Sequence, residues 1–330
     1  MKKIISLILS GILLLSFAGC QNGRNSTAEN SAVSAVQGTS EAENVSSAGS
    51  AEESSREKDI FNFADYESKD IFSIEKMELS SELSVMCDTY EFYYNSDGYQ
   101  IKAYVSIPLE CIETRKPSKC LLYYRGGHYN YGALNYDMLS AICGAVGRIV
   151  VACEIRGDNG SGGCDQFGGD EMHDVFRLID LCENNFKFAD MDDFCVAGIS
   201  RGGMSAYMTA RQDKRVKKLV IGSGVSDAAQ IYKDRPDMQK LLCECIGGTP
   251  DELPEEYEKR SAVCWADEIK IPVLIIHSKD DVITLFEAQA QRIYDMLKDS
   301  TDCTLITHDD DYHGIQKEDI PKIKEWLNKT

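Results

Sequence analysis

The sequence predicts an α/β fold: a doubly wound, mostly parallel sheet carrying a helical cap insertion. Three observations point there. Short apolar stretches near Leu121, Val150, Val196, Leu219, Leu274 and Leu305 alternate with helical sequence, the rhythm of parallel strands joined by crossover helices. Residues 91–94 and 101–105 flank Asn95-Ser96-Asp97-Gly98, which signals an antiparallel hairpin ahead of that sheet. Residues 227–267 then break the rhythm with helical, acidic and proline-containing sequence, the expected cap over a pocket. In such sheets the chemistry collects at the carboxyl ends of the strands.

The strand Asp193-Phe194-Cys195-Val196-Ala197 runs into Gly198-Ile199-Ser200-Arg201-Gly202, and a helical stretch from Gly203 follows. A G-x-S-x-G between strand and helix is the nucleophile elbow of α/β-hydrolases. The turn is tight, and a Cβ at either glycine would strike the neighbouring strand or helix. Ser200 is therefore the candidate nucleophile. A serine hydroxyl needs a base, and the base an orienting acid, in the chain order Ser, Asp, His. The strand ending at Ile276 leads into His277-Ser278-Lys279-Asp280-Asp281, and the last strand leads into a polar loop with His313-Gly314. Of the five histidines, His128 and His173 precede the elbow, and His277 ends a strand where a local structural bond is expected. His308 sits close to its own strand, which leaves His313 as the candidate base. Asp281 is preferred to Asp280 as the acid; adjacent residues leaving a strand point opposite ways, so one of them faces the base.

Beyond the elbow, several segments carry a resemblance. They are Tyr123-Tyr124-Arg125-Gly126-Gly127, Arg156-Gly157-Asp158 with the glycine-rich run to Gly169, Asp170-Glu171-Met172-His173, Gly247-Gly248-Thr249-Pro250, and Trp265-Ala266-Asp267. With the Asp and His segments, they make the chain from about residue 90 onward resemble the catalytic domain of prolyl oligopeptidase-like serine peptidases. The resemblance implies a Ser-Asp-His mechanism on Ser200, Asp281 and His313, without a cofactor or metal. Two departures stand out. His277-Ser278 replaces the usual His-Gly, which keeps Asp280 open, and Arg125 stands where some members place an oxyanion-binding tyrosine. Larger members carry a propeller of at least four blades of about 40 to 50 residues. Only residues 59–115 precede the main sheet, so none is expected here.

Lys2-Lys3, the apolar run 4–18 and Ala18-Gly19-Cys20 read as an export signal, too short to span a bilayer. Cys20 resembles the lipidated cysteine of a bacterial lipoprotein. Residues 21–58 are rich in Ser, Ala, Glu, Asn and Gly, a composition unable to offset its ordering entropy by burial. The expected organisation is signal peptide 1–20, tether 21–58 and catalytic domain 59–330, held at the outer face of the cell membrane through the lipid alone. Loss of Lys2 and Lys3 takes the net charge from −19 to −21, which argues against nucleic-acid partners. The chain has 13 cysteines; Cys120, Cys153 and Cys195 fall in expected central strands, where cysteine packs as a small hydrophobe.

The expected reaction is acyl transfer to water. Backbone N–H groups of Arg201, which opens the helix after the nucleophile, and of Gly127 or His128 would bind the oxyanion. The Arg201 side chain is expected to form a structural ion pair. A short peptide is the expected substrate, with an acyl ester as the alternative, since one triad cleaves both.

Overall fold

The computed structural model describes residues 58–329; the signal segment, Cys20 and nearly all of the tether lie outside the described residues. The strands are β1 (Ile71–Lys76), β2 (Cys87–Ser96), β3 (Tyr99–Pro108), β4 (Ser118–Tyr124), β5 (Ile149–Cys153), β6 (Ala189–Ile199), β7 (Lys218–Gly222), β8 (Val273–Ser278) and β9 (Cys303–His308). They form one sheet in the order β1-β2-β3-β5-β4-β6-β7-β8-β9. From β5 to β9 every neighbouring pair is parallel, while β1, β2 and β3 join antiparallel at one side.

The helices are α1 (Leu109–Thr114), α2 (Tyr136–Val146), α3 (Met172–Asn184), α4 (Arg201–Gln212), α5 (Ala228–Asp234), α6 (Gln239–Ile246), α7 (Pro254–Lys259), α8 (Arg292–Leu297) and α9 (Ile320–Leu327). Their placement follows from the period-2 alternation of the strands. On β4, Cys120 and Leu122 face the core layer that includes Leu178, Met204 and Ile293. Leu121 and Tyr123 face the opposite layer with Leu139, Cys143, Ile323 and Trp326. Helices α3, α4 and α8 thus cover one face and α2 and α9 the other, a doubly wound α/β-hydrolase fold. Both faces being covered, β8 is buried along its whole length, as continuous apolar strands of parallel sheets are.

Two local details differ from the sequence expectation. The hairpin turn is shorter, because Asn95 and Ser96 still pair with Gln100 and Tyr99. Only Asp97 and Gly98 turn, at φ +48° and +82°, the left-handed pair that Asp-Gly adopts most readily. Strand β1 was not expected. Only Ile71 of its residues is buried, and a bulge near Ser73, at φ +52°, erases the alternation that would reveal it. The insertion between β7 and β8 is helical as expected, holding α5, α6 and α7. Arg260 ties it to the glycine-rich loop, its Nε donating to Phe167 O at 2.9 Å. All twelve cysteines among the described residues are free.

The N-terminal part of the described chain is fastened by aromatic packing. Phe63, fully buried, meets Phe92 at 5.0 Å and Phe186 at 5.1 Å between ring centroids, both edge-on. Truncating a ring in such a site costs about 3 to 5 kcal/mol. Phe63→Ala is therefore expected to lose stability in that range by urea unfolding, with the slope of the transition unchanged.

Candidate active site

Between the end of β6 and the start of α4, Ser200 adopts φ +56°, ψ −124°, a conformation costly for any residue with a Cβ. Its neighbours impose it. A Cβ on Gly198 would lie 2.1 Å from Gly202 O, and one on Gly202 would lie 2.5 Å from Tyr124 O. Neither contact is possible for another residue. Gly203 meets the same limit, since its Cβ would fall 2.6 Å from Gly224 Cα; the five-residue motif does not announce this third close approach. Hydrogen bonds anchor the turn. Ser200 N donates to Gly222 O at 2.9 Å, and Ser200 O accepts from Gly203 N at 2.9 Å and Val225 N at 3.0 Å.

His313 and Asp281 meet at the far side of β7. The imidazole Nδ1 donates to Asp281 Oδ2 at 2.8 Å, which leaves Nε2 as the acceptor. Asp281 also accepts from Ile283 N at 2.8 Å and Thr284 N at 3.2 Å, and Thr284 Oγ1, whose proton goes to Ser223 O, lies 3.1 Å from Oδ2. Asp280 is exposed. Burial alone would raise the Asp281 carboxyl. The His277 imidazole 3.3 Å away, the hydrogen bond from His313, the charge His313 can carry and the Ile283 N–H outweigh it and hold the group well below the usual carboxylate range.

The remaining histidines have other work. His277 Nε2 donates to Thr284 O at 2.7 Å and stands 3.3 Å from Asp281 Oδ2, so it braces the turn that carries the acid. His308 is held by Asp319 at 2.9 Å and His173 by Asp97 at 2.8 Å. His128 packs in the loop after Gly127, against Tyr129 and Tyr131.

Ser223, absent from the sequence reading, links the two halves. Its Oγ accepts from Gly314 N at 2.9 Å, its carbonyl accepts from Thr284 Oγ1 at 3.0 Å, and its N–H donates to Ile276 O at 2.9 Å. Gly222 and Ser223 thus bond the serine turn, the acid turn and the histidine loop together. Among the described residues no hydrogen bond joins Ser200 Oγ to His313; catalytic contacts of this kind tighten when substrate binds.

Gly126 closes the opposite wall: a Cβ there would lie 3.0 Å from Ser200 Cβ. Among the described residues, the backbone N–H groups of Arg201 and Gly127 donate to no protein acceptor, so both are free to receive an anion. Arg125 is turned away from this space. Its Nη2 donates to Asp158 at 2.6 Å and Tyr129 O at 2.9 Å, and Nη1 reaches Tyr131 O at 3.1 Å. Its Nε lies 2.8 Å from Glu154 Oε2, an ion pair without hydrogen-bond alignment. The guanidinium therefore shapes the loop 126–131 from beneath. The Arg201 side chain is likewise committed, pairing with Asp165 at 2.5 Å and lying over the Phe167 ring at 4.2 Å.

Comparison with known proteins agrees with this architecture. A model of the prolyl oligopeptidase family matches residues 135–329. The uncharacterized peptidase YtmA of Bacillus subtilis is 30% identical over 195 residues, 58% of this chain and 73% of YtmA. An acylaminoacyl peptidase solved with Z-Gly-Gly-Phe-chloromethyl ketone superposes with a TM-score of 0.64 at 21% identity, over 74% of this chain and 42% of that one. Acetyl xylan esterase 1 of a Thermoanaerobacterium species superposes with a TM-score of 0.58 at 20% identity, over 78% of this chain and 88% of the esterase. The chain thus spans most of YtmA and less than half of the acylaminoacyl peptidase.

The depressed Asp281 carboxyl has a consequence for stability. The folded protein binds that proton more weakly than the unfolded chain. The pair therefore stabilises the fold above the ordinary carboxylate pKa and ceases to do so as pH falls through the depressed value. The gap in Tm between the protein and Asp281→Asn is expected to be wide at neutral pH and to narrow below about pH 4. A gap independent of pH would contradict this account of the carboxylate.

Proposed function

The chain belongs to the prolyl oligopeptidase family of serine hydrolases, and we propose that it cleaves short peptides through an acyl-enzyme on Ser200. The observation that carries the mechanism is the 2.8 Å bond from His313 Nδ1 to Asp281, on a loop bonded to the elbow through the Gly222-Ser223 segment. With Nδ1 protonated, Nε2 is the free base. Ser200 Oγ attacks the scissile carbonyl while its proton passes to His313 Nε2. Asp281, already ionised and buried, stabilises the imidazolium without taking the proton. The negative oxygen of the tetrahedral intermediate is received by the N–H groups of Arg201 and Gly127, the first standing at the N-terminus of α4. Collapse breaks the C–N bond as His313 gives its proton to the leaving amine. Water then attacks the acyl carbon as His313 takes its proton, and collapse breaks the C–Oγ bond as His313 returns the proton to Ser200 Oγ and the acid is released.

An ester-cleaving reading uses the same residues, because the acyl carbon is attacked identically whether nitrogen or oxygen leaves. A panel of aminoacyl and dipeptidyl p-nitroanilides beside p-nitrophenyl acyl esters separates the two. Amide turnover comparable to ester turnover supports the peptidase, and turnover of esters alone supports the esterase. In either case Ser200→Ala and His313→Ala should each lower turnover on the order of 10⁴- to 10⁶-fold with the fold intact. Asp281→Asn should be crippling, while Asp280→Asn and His308→Ala remain near the parent; collapse in His308→Ala would move the base.

The proposal extends to location: lipid on Cys20 would hold the enzyme at the outer face of the membrane. Each buried methylene contributes about 0.8 kcal/mol, so two or more chains anchor firmly where one binds marginally. Mass spectrometry of the mature N-terminus is expected to find a diacylglyceryl-modified Cys20. Cys20→Ser should release the enzyme or leave an uncleaved precursor, and an unmodified mature start at another residue would contradict the anchor.

A further inference from the structure

The glycine-rich loop between β5 and α3 does no chemistry in this mechanism, yet two of its carboxylates reach the residue that follows the nucleophile. Arg201 is 5% exposed. Its Nη1 donates to Asp165 Oδ2 at 2.6 Å and its Nη2 to Asp165 Oδ1 at 2.5 Å, a two-pronged pair, and Nη2 also meets Glu171 Oε1 at 3.2 Å. The carboxylates are in turn fixed by loop backbone. Asp165 Oδ1 accepts from Phe167 N at 2.7 Å, and Glu171 accepts from Gly168 N and, at 2.9 Å, from Gly169 N. Phe167 sits at φ +53°, and its ring lies under the guanidinium. One further bond completes the set: Arg201 Nη1 reaches Gly127 O at 3.5 Å. A single side chain therefore touches both residues whose amides have no protein acceptor.

We propose that Asp165 and Glu171 are positioning residues which, through the Arg201 guanidinium, set the spacing of the two oxyanion-binding amides of Arg201 and Gly127. The physical need is plain. A backbone donor acts on the transition state only if held where the charge develops, and small displacements are costly. The α4 N-terminus alone fixes the Arg201 amide, but Gly127 lies in a separate loop at φ +75° and needs a tie to it. Two-pronged pairing supplies that tie in a way a point charge does not. Peptide and ester substrates both depend on it, since both pass through the same oxyanion. The inference rests on the catalytic reading of Ser200 given above.

The test separates the two ideas. Using the p-nitroanilide or p-nitrophenyl ester turned over fastest by the full chain, Asp165→Asn is expected to lower kcat about tenfold to a hundredfold, with KM within about twofold. Affinity for an aldehyde of the same acyl group, whose hemiacetal oxygen occupies the oxyanion site, should weaken by the same factor. Because Asp165→Asn leaves a buried guanidinium half paired and can unfold the protein, the triple variant Arg201→Met, Asp165→Asn, Glu171→Gln is measured beside it. The triple variant keeps the Arg201 amide, leaves neither the guanidinium nor the Glu171 carboxylate as an unpaired buried charge, and should retain the kcat and aldehyde defects at near-parent Tm. Normal kcat and aldehyde affinity in the folded triple variant would overturn the inference while leaving the mechanism standing. A loss confined to KM would overturn it equally. Full turnover in Ser200→Ala would overturn the catalytic reading itself, and this inference with it.

Discussion

The candidate site depends on a place where three backbones meet with no room for a Cβ. Gly198 abuts the carbonyl of Gly202, Gly202 abuts those of Tyr124 and Arg125, and Gly203 abuts Gly224. Packing this close draws β4, β6, α4 and the segment after β7 together at one point of the sheet edge. Ser200 is then left in a backbone conformation it would not choose, at a cost of about 1 to 3 kcal/mol. Burial of residues 201–209 along α4 offsets that cost. The strain has a use: it lifts Oγ clear of the strand and leaves the Arg201 amide at the start of a helix, unpaired.

From that point the rest of the site is built by short polar bridges rather than by long-range charge. Gly222 and Ser223 bond the serine turn to the histidine loop and the acid turn. Asp281 is aimed by a local turn in which its carboxylate accepts the amides of Ile283 and Thr284, and His277 braces the same turn from within the strand. The two arginines nearest the nucleophile are tied into buried ion pairs. Removing one member of such a pair is far more costly than its net contribution suggests, so these arginines are better understood as fixing loops than as adding stability.

Much of the fold is legible in the sequence because parallel strands covered on both faces must be continuous apolar runs. All six runs, from the one near Leu121 to the one near Leu305, became strands. The hairpin was legible because Asp-Gly is among the few pairs that accept two left-handed residues. Strand β1 was not, since one buried residue and a bulge leave no period to detect. The elbow is written in local sequence, whereas Gly224 and Ser223 matter only through partners distant in the chain, which no local pattern reveals. Sequence favours Asp281 over Asp280 but leaves Asp280 open, as strand parity gives either answer when the strand end is uncertain. The structure turns Asp281 inward because β8 runs through Ser278 and the following turn is closed by Thr284. Arg125, in the place of an oxyanion tyrosine, is explained by Glu154 and Asp158 beneath it, both distant from it in sequence.

The central claim is that Ser200 is activated for attack on an acyl carbon by His313 and Asp281. It is tested most directly by reacting the folded enzyme with a fluorophosphonate, whose phosphorus is attacked only by an activated hydroxyl, and mapping the adduct by peptide mass spectrometry. The account predicts one stoichiometric adduct, on the peptide bearing Ser200, formed much more slowly in His313→Ala. An adduct on another serine, or labelling of Ser200 at an undiminished rate without His313, would contradict it.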